Sequence, residues 1–143
     1  MEVNFYELDI IDDVKLKYAV ILTKYNDQWI YVKHKERQTW EIPGGRREPH
    51  ESIEDTARRE LYEETGALTY NLSPVCVYSV KRENDDESYG ALFCSEVFEL
   101  GQLPSDSEIG QIKIIQGLPN ELTYPAIQPK LYDKGIKKLS IKE

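Results

Sequence analysis

Ser52-Ile53-Glu54-Asp55-Thr56-Ala57-Arg58-Arg59-Glu60-Leu61-Tyr62-Glu63-Glu64-Thr65-Gly66 has no proline, and no glycine before its last residue. Ile53, Ala57 and Leu61 return an apolar side chain at four-residue intervals, the period of one helix face. Ser52 can cap the start, with Asp55 three residues on to complete a capping box. Gly66 is a natural stop, because glycine accepts the left-handed backbone that ends helices. A helix is therefore expected over Ser52 to Thr65.

Working outward, Tyr18-Ala19-Val20-Ile21-Leu22 lies inside a strand expected over Lys17 to Tyr25. Asn26-Asp27 reads as a turn, and Trp29-Ile30-Tyr31-Val32 as the returning strand of a hairpin. Trp40-Glu41-Ile42 is a short extended piece that Pro43-Gly44-Gly45 is expected to end. Downstream, Val75 to Lys81 and Tyr89 to Leu100 read as strands joined through the polar turn Glu83-Asn84-Asp85-Asp86-Glu87. Ile112 to Ile115 is a further strand, and a last helix is expected from about Ala126 to Leu139, interrupted by Pro129 and Gly135. Strands, a helix, strands and a helix make an α+β chain with helices packed on a sheet. Its 143 residues suit one domain, residues 1–143, with one core.

The net charge is −8, which argues against non-specific binding to DNA or RNA. A small anionic substrate would need local cations to enter. Basic residues gather at Lys33, His34, Lys35 and Arg37 and again at Arg46 and Arg47, as a solvated edge or as phosphate contacts. No apolar run approaches the roughly 20 residues of a membrane helix, and Met1-Glu2-Val3-Asn4 has no secretory pattern. Both absences point to the cytoplasm. Cys76 and Cys94 sit among apolar neighbours and form no metal-binding or redox pair, so they read as small core residues.

Chemistry concentrates at the end of the expected helix. Glu60, Glu63 and Glu64 lie at i, i+3 and i+4 and so share one face. They repel one another, and they occupy the last turn, where the helix dipole disfavours negative charge. Stability alone would place Lys or Arg there. Arg59 can reach Glu63 at i+4, and a hard divalent cation would offset the rest, since carboxylate oxygens suit Mg²⁺, Mn²⁺ or Ca²⁺. A solvated charged face is the competing reading. A calcium-binding loop is not: no D-x-[DN]-x-[DN]-G pattern occurs, and the acids sit on a helix.

Gly45, Glu51, Arg59, Glu60, Glu63, Glu64 and Gly66, with Leu61 and Ala67 in apolar slots, resemble the Nudix box, G-x5-E-x7-R-E-U-x-E-E-x-G-U. A chance match has odds on the order of one in a hundred thousand. The resemblance implies the Nudix α/β/α sandwich, a mixed sheet flanked by helices. It implies Glu60, Glu63 and Glu64 as ligands for Mg²⁺ (or Mn²⁺), assisted by the Gly44 main-chain carbonyl. Arg59 would hold Glu63, Glu51 would brace the loop and helix, and Gly45 would permit a close backbone approach. Family members often use one more acid from a later loop; Glu108 is the best match, with Glu96, Glu99 and Asp106 as rivals. Glu63 or Glu108 would orient or deprotonate the attacking water. Arg46, Arg47, Lys33 and Arg37 are candidate phosphate contacts.

The implied reaction is hydrolysis of a P–O–P linkage in a nucleotide or nucleotide-like diphosphate. The accessory motifs of coenzyme A and NADH subfamilies are not evident, and Arg82 stands where ADP-ribose hydrolases carry proline. By elimination the chain is similar to the MutT-like nucleoside triphosphatases; a nucleoside triphosphate is the expected substrate, an oxidised purine such as 8-oxo-dGTP is one candidate, and the base is left open. Trp29, Trp40 and Tyr78 could stack on a base, although each also reads as a core residue. The alternative is a Nudix fold that senses a nucleotide or scaffolds a partner without turnover; such proteins usually lose box glutamates. A homodimer is permitted by the resemblance.

Overall fold

The computed structural model describes residues 1–84 and 86–142; Asp85 of the expected polar turn lies outside the described residues. Its strands are β1 (Glu2–Tyr6), β2 (Leu16–Tyr25), β3 (Gln28–His34), β4 (Gly44–Arg46), β5 (Ala67–Tyr70), β6 (Ser73–Lys81), β7 (Glu87–Leu100) and β8 (Ile109–Ile115). The helices are α1 (Ile53–Thr65) and α2 (Gln128–Lys142). The sheet runs β1-β6-β7-β2-β3-β8, with β4 against β2 and β5 against β7. β2 and β7 are parallel while the other pairs are antiparallel, so the sheet is mixed, as expected.

Alternation along β2 separates two cores. Ala19 and Ile21 pack with Ala57 and Leu61 of α1, whereas Val20 and Leu22 join Leu131 of α2. Successive strand side chains point to opposite faces, so one strand serves both helices. The result is a helix on either face of the central sheet. None of the described helices is long and apolar enough to cross a membrane.

Helix α1 follows its sequence signals closely. Ser52 Oγ accepts from Asp55 N at 3.0 Å and Asp55 accepts from Ser52 N at 3.4 Å, a complete capping box. At the other end Gly66 takes φ +77° and donates to the Tyr62 carbonyl at 2.9 Å.

Three departures from the sequence reading are local. Gly44 and Gly45 do not end the extended chain; with Arg46 they form β4 against Val20, Ala19 and Tyr18. A Cβ on Gly44 would lie 2.4 Å from the Ala19 carbonyl oxygen, so the close approach itself requires glycine. β1 and β5 were not anticipated. Helix α2 starts at Gln128 rather than Ala126, and Pro129 falls in its first turn, where a missing N–H costs nothing. Gly135 does not interrupt it, because it sits against Leu22 and Cys94, where a Cβ would meet Leu22 Cδ2 at 2.5 Å.

Candidate active site

The end of α1 abuts β4. Glu64 is 7% exposed and accepts from the Gly44 N–H at 2.9 Å. Glu60 lies against Gly45 so closely that a Cβ there would stand 1.4 Å from Glu60 Oε2. Two carboxylates are thus held in low dielectric beside a glycine strand. Burial pushes the Glu60 carboxyl up to about 7, opposed by Arg59 and reinforced by the charge on Glu63. Burial pushes Glu64 up to about 8 against the Gly44 hydrogen bond, with Glu60, Glu41 and Glu108 adding to the rise.

Arg59 is the hub on the outer side. It grips Glu51 through Nε at 2.5 Å and Nη2 at 3.0 Å, reaches Glu60 at 2.9 Å, and meets Glu63 only at 3.4 Å. Its principal hold is therefore Glu51, not the Glu63 suggested by i+4 spacing. Nη2 also donates to the Arg46 carbonyl at 3.0 Å, tying α1 to β4. Glu51 in turn accepts from Glu48 N at 2.9 Å and Thr56 Oγ1 at 2.8 Å, and the Arg59 bonds lead in holding it down at about 2. The guanidinium is raised above its ordinary value chiefly by the Glu51 bonds.

Glu108 comes to the same place from the loop before β8. Ser107 Oγ donates to the Glu63 carbonyl at 2.7 Å, satisfying one of the unpaired carbonyls at the helix end and pinning this loop to α1. Glu108 is exposed, with its carboxylate 3.9 Å from His34 Nδ1. The rival Glu99 accepts from Thr69 at 2.9 Å, and neither it, Glu96 nor Asp106 lines the cavity described next.

A cavity of about 400 Å³ opens beside these acids and is bordered by Glu60, Glu64, Glu108, Gly44, Gly45, Arg46 and Arg37. That is the size range of small-molecule sites. Two candidate cations are not brought to it. Lys33 stands over the Trp40 ring at 5.5 Å, and Arg47 is committed to Glu51 O at 2.8 Å, Asp13 O at 2.8 Å and Asp13 Oδ2 at 2.9 Å. Trp29 is core, edge-on to Tyr132, and Trp40 carries Lys113 at 4.5 Å; of the three proposed stacking residues only Tyr78 lines the cavity.

Two cavity residues escaped the sequence reading. His34 Nε2 lies 3.5 Å from Glu64 and 3.7 Å from Glu41, and Glu41 also pairs with Arg37. In the sequence His34 reads as part of the basic edge, and Glu41 precedes the glycine turn without a motif of its own.

Among the described residues no three His, Cys, Asp or Glu side chains are drawn together at metal-ligand spacing. Protein groups occupy the acids instead: Arg59 takes Glu60 and Glu63, and the Gly44 N–H takes Glu64. The donor set nonetheless fits a hard cation, since it consists of carboxylate oxygens, two of them desolvated.

Two Bacillus subtilis (strain 168) proteins whose names propose 8-oxo-dGTP diphosphatase activity are 37% identical over 68 residues and 36% over 64. These stretches cover 48% and 45% of this chain, and 46% and 40% of the relatives, so the match spans under half of either relative. The Bacillus subtilis pyrophosphohydrolase BsRppH superposes with a TM-score of 0.77 at 21% identity, covering 95% of this chain and 90% of that one. At that identity the likeness shows the fold. The NUDIX domain model matches residues 15–130, which span α1, every box residue and the first three residues of α2. The chain belongs to the NUDIX domain family.

Proposed function

We propose that this chain is a divalent-cation-dependent pyrophosphohydrolase that converts a nucleoside triphosphate to the monophosphate and pyrophosphate. The observation that carries the reading is the desolvated pair Glu60 and Glu64 beside Gly44 and Gly45, bordering a 400 Å³ cavity. Burying two like charges without lysine or arginine on Glu64 costs stability, which is reasonable only where a cation offsets it. Glu60, Glu63 and Glu64, with the Gly44 carbonyl, would hold Mg²⁺, with Mn²⁺ as a substitute. When bound, such a cation neutralises charge developing on the phosphate oxygens and lowers the pKa of water.

The chain's own residues supply the rest. Arg59 and Glu51 lock α1 to β4 and so set the position of Glu60. Glu63, half exposed and held by Arg59 only at 3.4 Å, does not itself border the cavity; it would have to leave Arg59 to orient or deprotonate the attacking water, a role for which Glu108, which does border it, is the second candidate. Arg46 and Arg37 border the cavity and would meet phosphate oxygens there, Arg37 by giving up its pairing with Glu41, which would let an acidic chain admit an anion. The names of the two Bacillus subtilis relatives favour an oxidised purine, 8-oxo-dGTP, as the substrate.

The test is incubation with Mg²⁺ and a panel of nucleoside triphosphates and dinucleotides, with products identified by mass. Monophosphate and pyrophosphate from a triphosphate are expected, and Glu63→Gln should abolish turnover while leaving the melting curve unchanged. Wild-type rates in that variant would overturn the assignment of Glu63. No hydrolysis of any member of the panel would favour a nucleotide-sensing role instead.

A further inference from the structure

A second cavity, of about 680 Å³, lies between the chain leading into β2 and the loop that joins β4 to α1. Val14, Leu16 and Pro49 supply its apolar part, and Lys17, Arg46, Arg47 and His50 its basic part. Glu60, Glu64 and Glu108 do not border it, whereas Arg46 borders both cavities.

Three cations share this cavity in a chain where 26 acidic side chains outnumber 18 basic ones. Like charges so placed repel one another, and the two acids on the same wall are engaged elsewhere. Glu51 is taken by Arg59 at 2.5 and 3.0 Å, and Glu48 lies 3.7 Å from Arg59 Nη1. Arg47 is built into the wall. It donates to the carbonyls of Glu51 and Asp13, each at 2.8 Å, and meets one carboxylate, Asp13, at 2.9 Å. Among the described residues the side chains of Lys17, Arg46 and His50 have neither a hydrogen bond nor an ion pair. His50 also stands at φ +69°, the left-handed region that a non-glycine residue enters at a cost. Two unpaired cations and a ring N–H beside an anchored guanidinium are a cradle for negative charge.

We propose that this cavity is a second anion site, which takes a free phosphate-type polyanion of the class of inorganic pyrophosphate and draws Arg46 away from the catalytic cavity. The backbone of Arg46 is fixed, by pairing with Tyr18 and by the Arg59 bond to its carbonyl at 3.0 Å, so only its side chain can choose between the two cavities. Pyrophosphate is a product of the proposed reaction, and bound here it slows turnover without entering the acid site. The binding stands apart from the hydrolase reading, and the effect on rate rests on it.

The probe is inorganic pyrophosphate, first by calorimetry in chelator, where no divalent cation draws it to Glu60 and Glu64. The wild type should bind one equivalent, and Lys17→Gln combined with His50→Gln should weaken binding by about 10- to 100-fold with an unchanged melting curve. Lys17→Gln alone, at an exposed position, gives the same reading should the double variant not fold. No binding, or equal binding by a folded variant, would overturn the proposal. With Mg²⁺ and a nucleoside triphosphate, pyrophosphate should lower the wild-type kcat, while the double variant keeps the uninhibited kcat and KM and escapes that fall. Purely competitive inhibition, equal in both proteins, would overturn the proposal. A raised KM in the variant without pyrophosphate would give the cavity to the substrate's own phosphates and overturn the free-anion assignment. Binding in chelator by a protein that hydrolyses no nucleotide would keep this site and sink the hydrolase reading. Turnover without binding would do the opposite.

Discussion

Without divalent cation at pH 8, Glu64→Gln is expected to be more stable than the wild type. The Glu64 carboxyl is raised from its ordinary 4.5 to about 8, chiefly by burial. The sign follows from linkage: a carboxyl whose folded pKa lies above its unfolded value binds protons more tightly when folded. Its contribution to stability is fully present below about 4.5 and is lost as pH rises through about 8. Over that window the charged form costs on the order of 4 kcal/mol at pH 8. Because the group borders a cavity open to solvent, the recoverable part is about 2–4 kcal/mol, or roughly 5–12 °C in Tm for a chain of this size. Glutamine keeps an oxygen for the Gly44 N–H, so the hydrogen bond at 2.9 Å is not lost with the charge. The assay is thermal unfolding in chelator from pH 5 to 8.5, repeated with Mg²⁺. The wild type should lose stability with rising pH and regain it with Mg²⁺, while Glu64→Gln shows a flatter profile and little response. A variant that melts at or below the wild type at pH 8 in chelator would refute the reasoning.

Further outcomes follow from neighbouring contacts. Gly45→Ala places a methyl group 1.4 Å from Glu60 Oε2, so the carboxylate must move; turnover should fall by about 10²-fold while Tm changes little, measured by kinetics and melting. Normal rates would show that the Glu60 position is not critical. Arg59→Lys cannot reproduce the two-bond grip on Glu51 and should cost about 1–3 kcal/mol in denaturant unfolding as well as activity. Cation affinity should rise with pH through about 7 to 8, with proton release on binding, because Glu60 and Glu64 must lose their protons; calorimetry in two buffers measures this. Ser52→Ala removes the Asp55 N–H acceptor and should cost about 1 kcal/mol without touching kcat.

Much of the candidate site is legible in the sequence because its local physics is unusual. Helix α1 carries its own cap, period and stop, and three acids at its negative pole require an explanation before any fold is known. What stayed hidden depends on long-range contact. β1 exists because Glu2 to Tyr6 pairs antiparallel with Lys81 back to Val77, and nothing within five residues announces that edge. Gly44-Gly45 reads as a turn, yet its lack of side chains serves to let β2 and Glu60 approach from either side. The i+4 rule pointed Arg59 at Glu63, but Glu51, eight residues away, reaches it because the Thr56 and Glu48 bonds fold the loop back. Lys33 and Arg47 show the limit of charge counting: one rests on an indole, the other closes a loop.

The most direct test is a crystal soaked with Mn²⁺ and a non-hydrolysable nucleoside triphosphate, read by anomalous scattering. The account predicts a manganese peak ligated by Glu60, Glu63 and Glu64, with phosphate oxygens on its open side. A nucleotide bound in the cavity with all three carboxylates still on Arg59 and Gly44, and manganese elsewhere or nowhere, would contradict it.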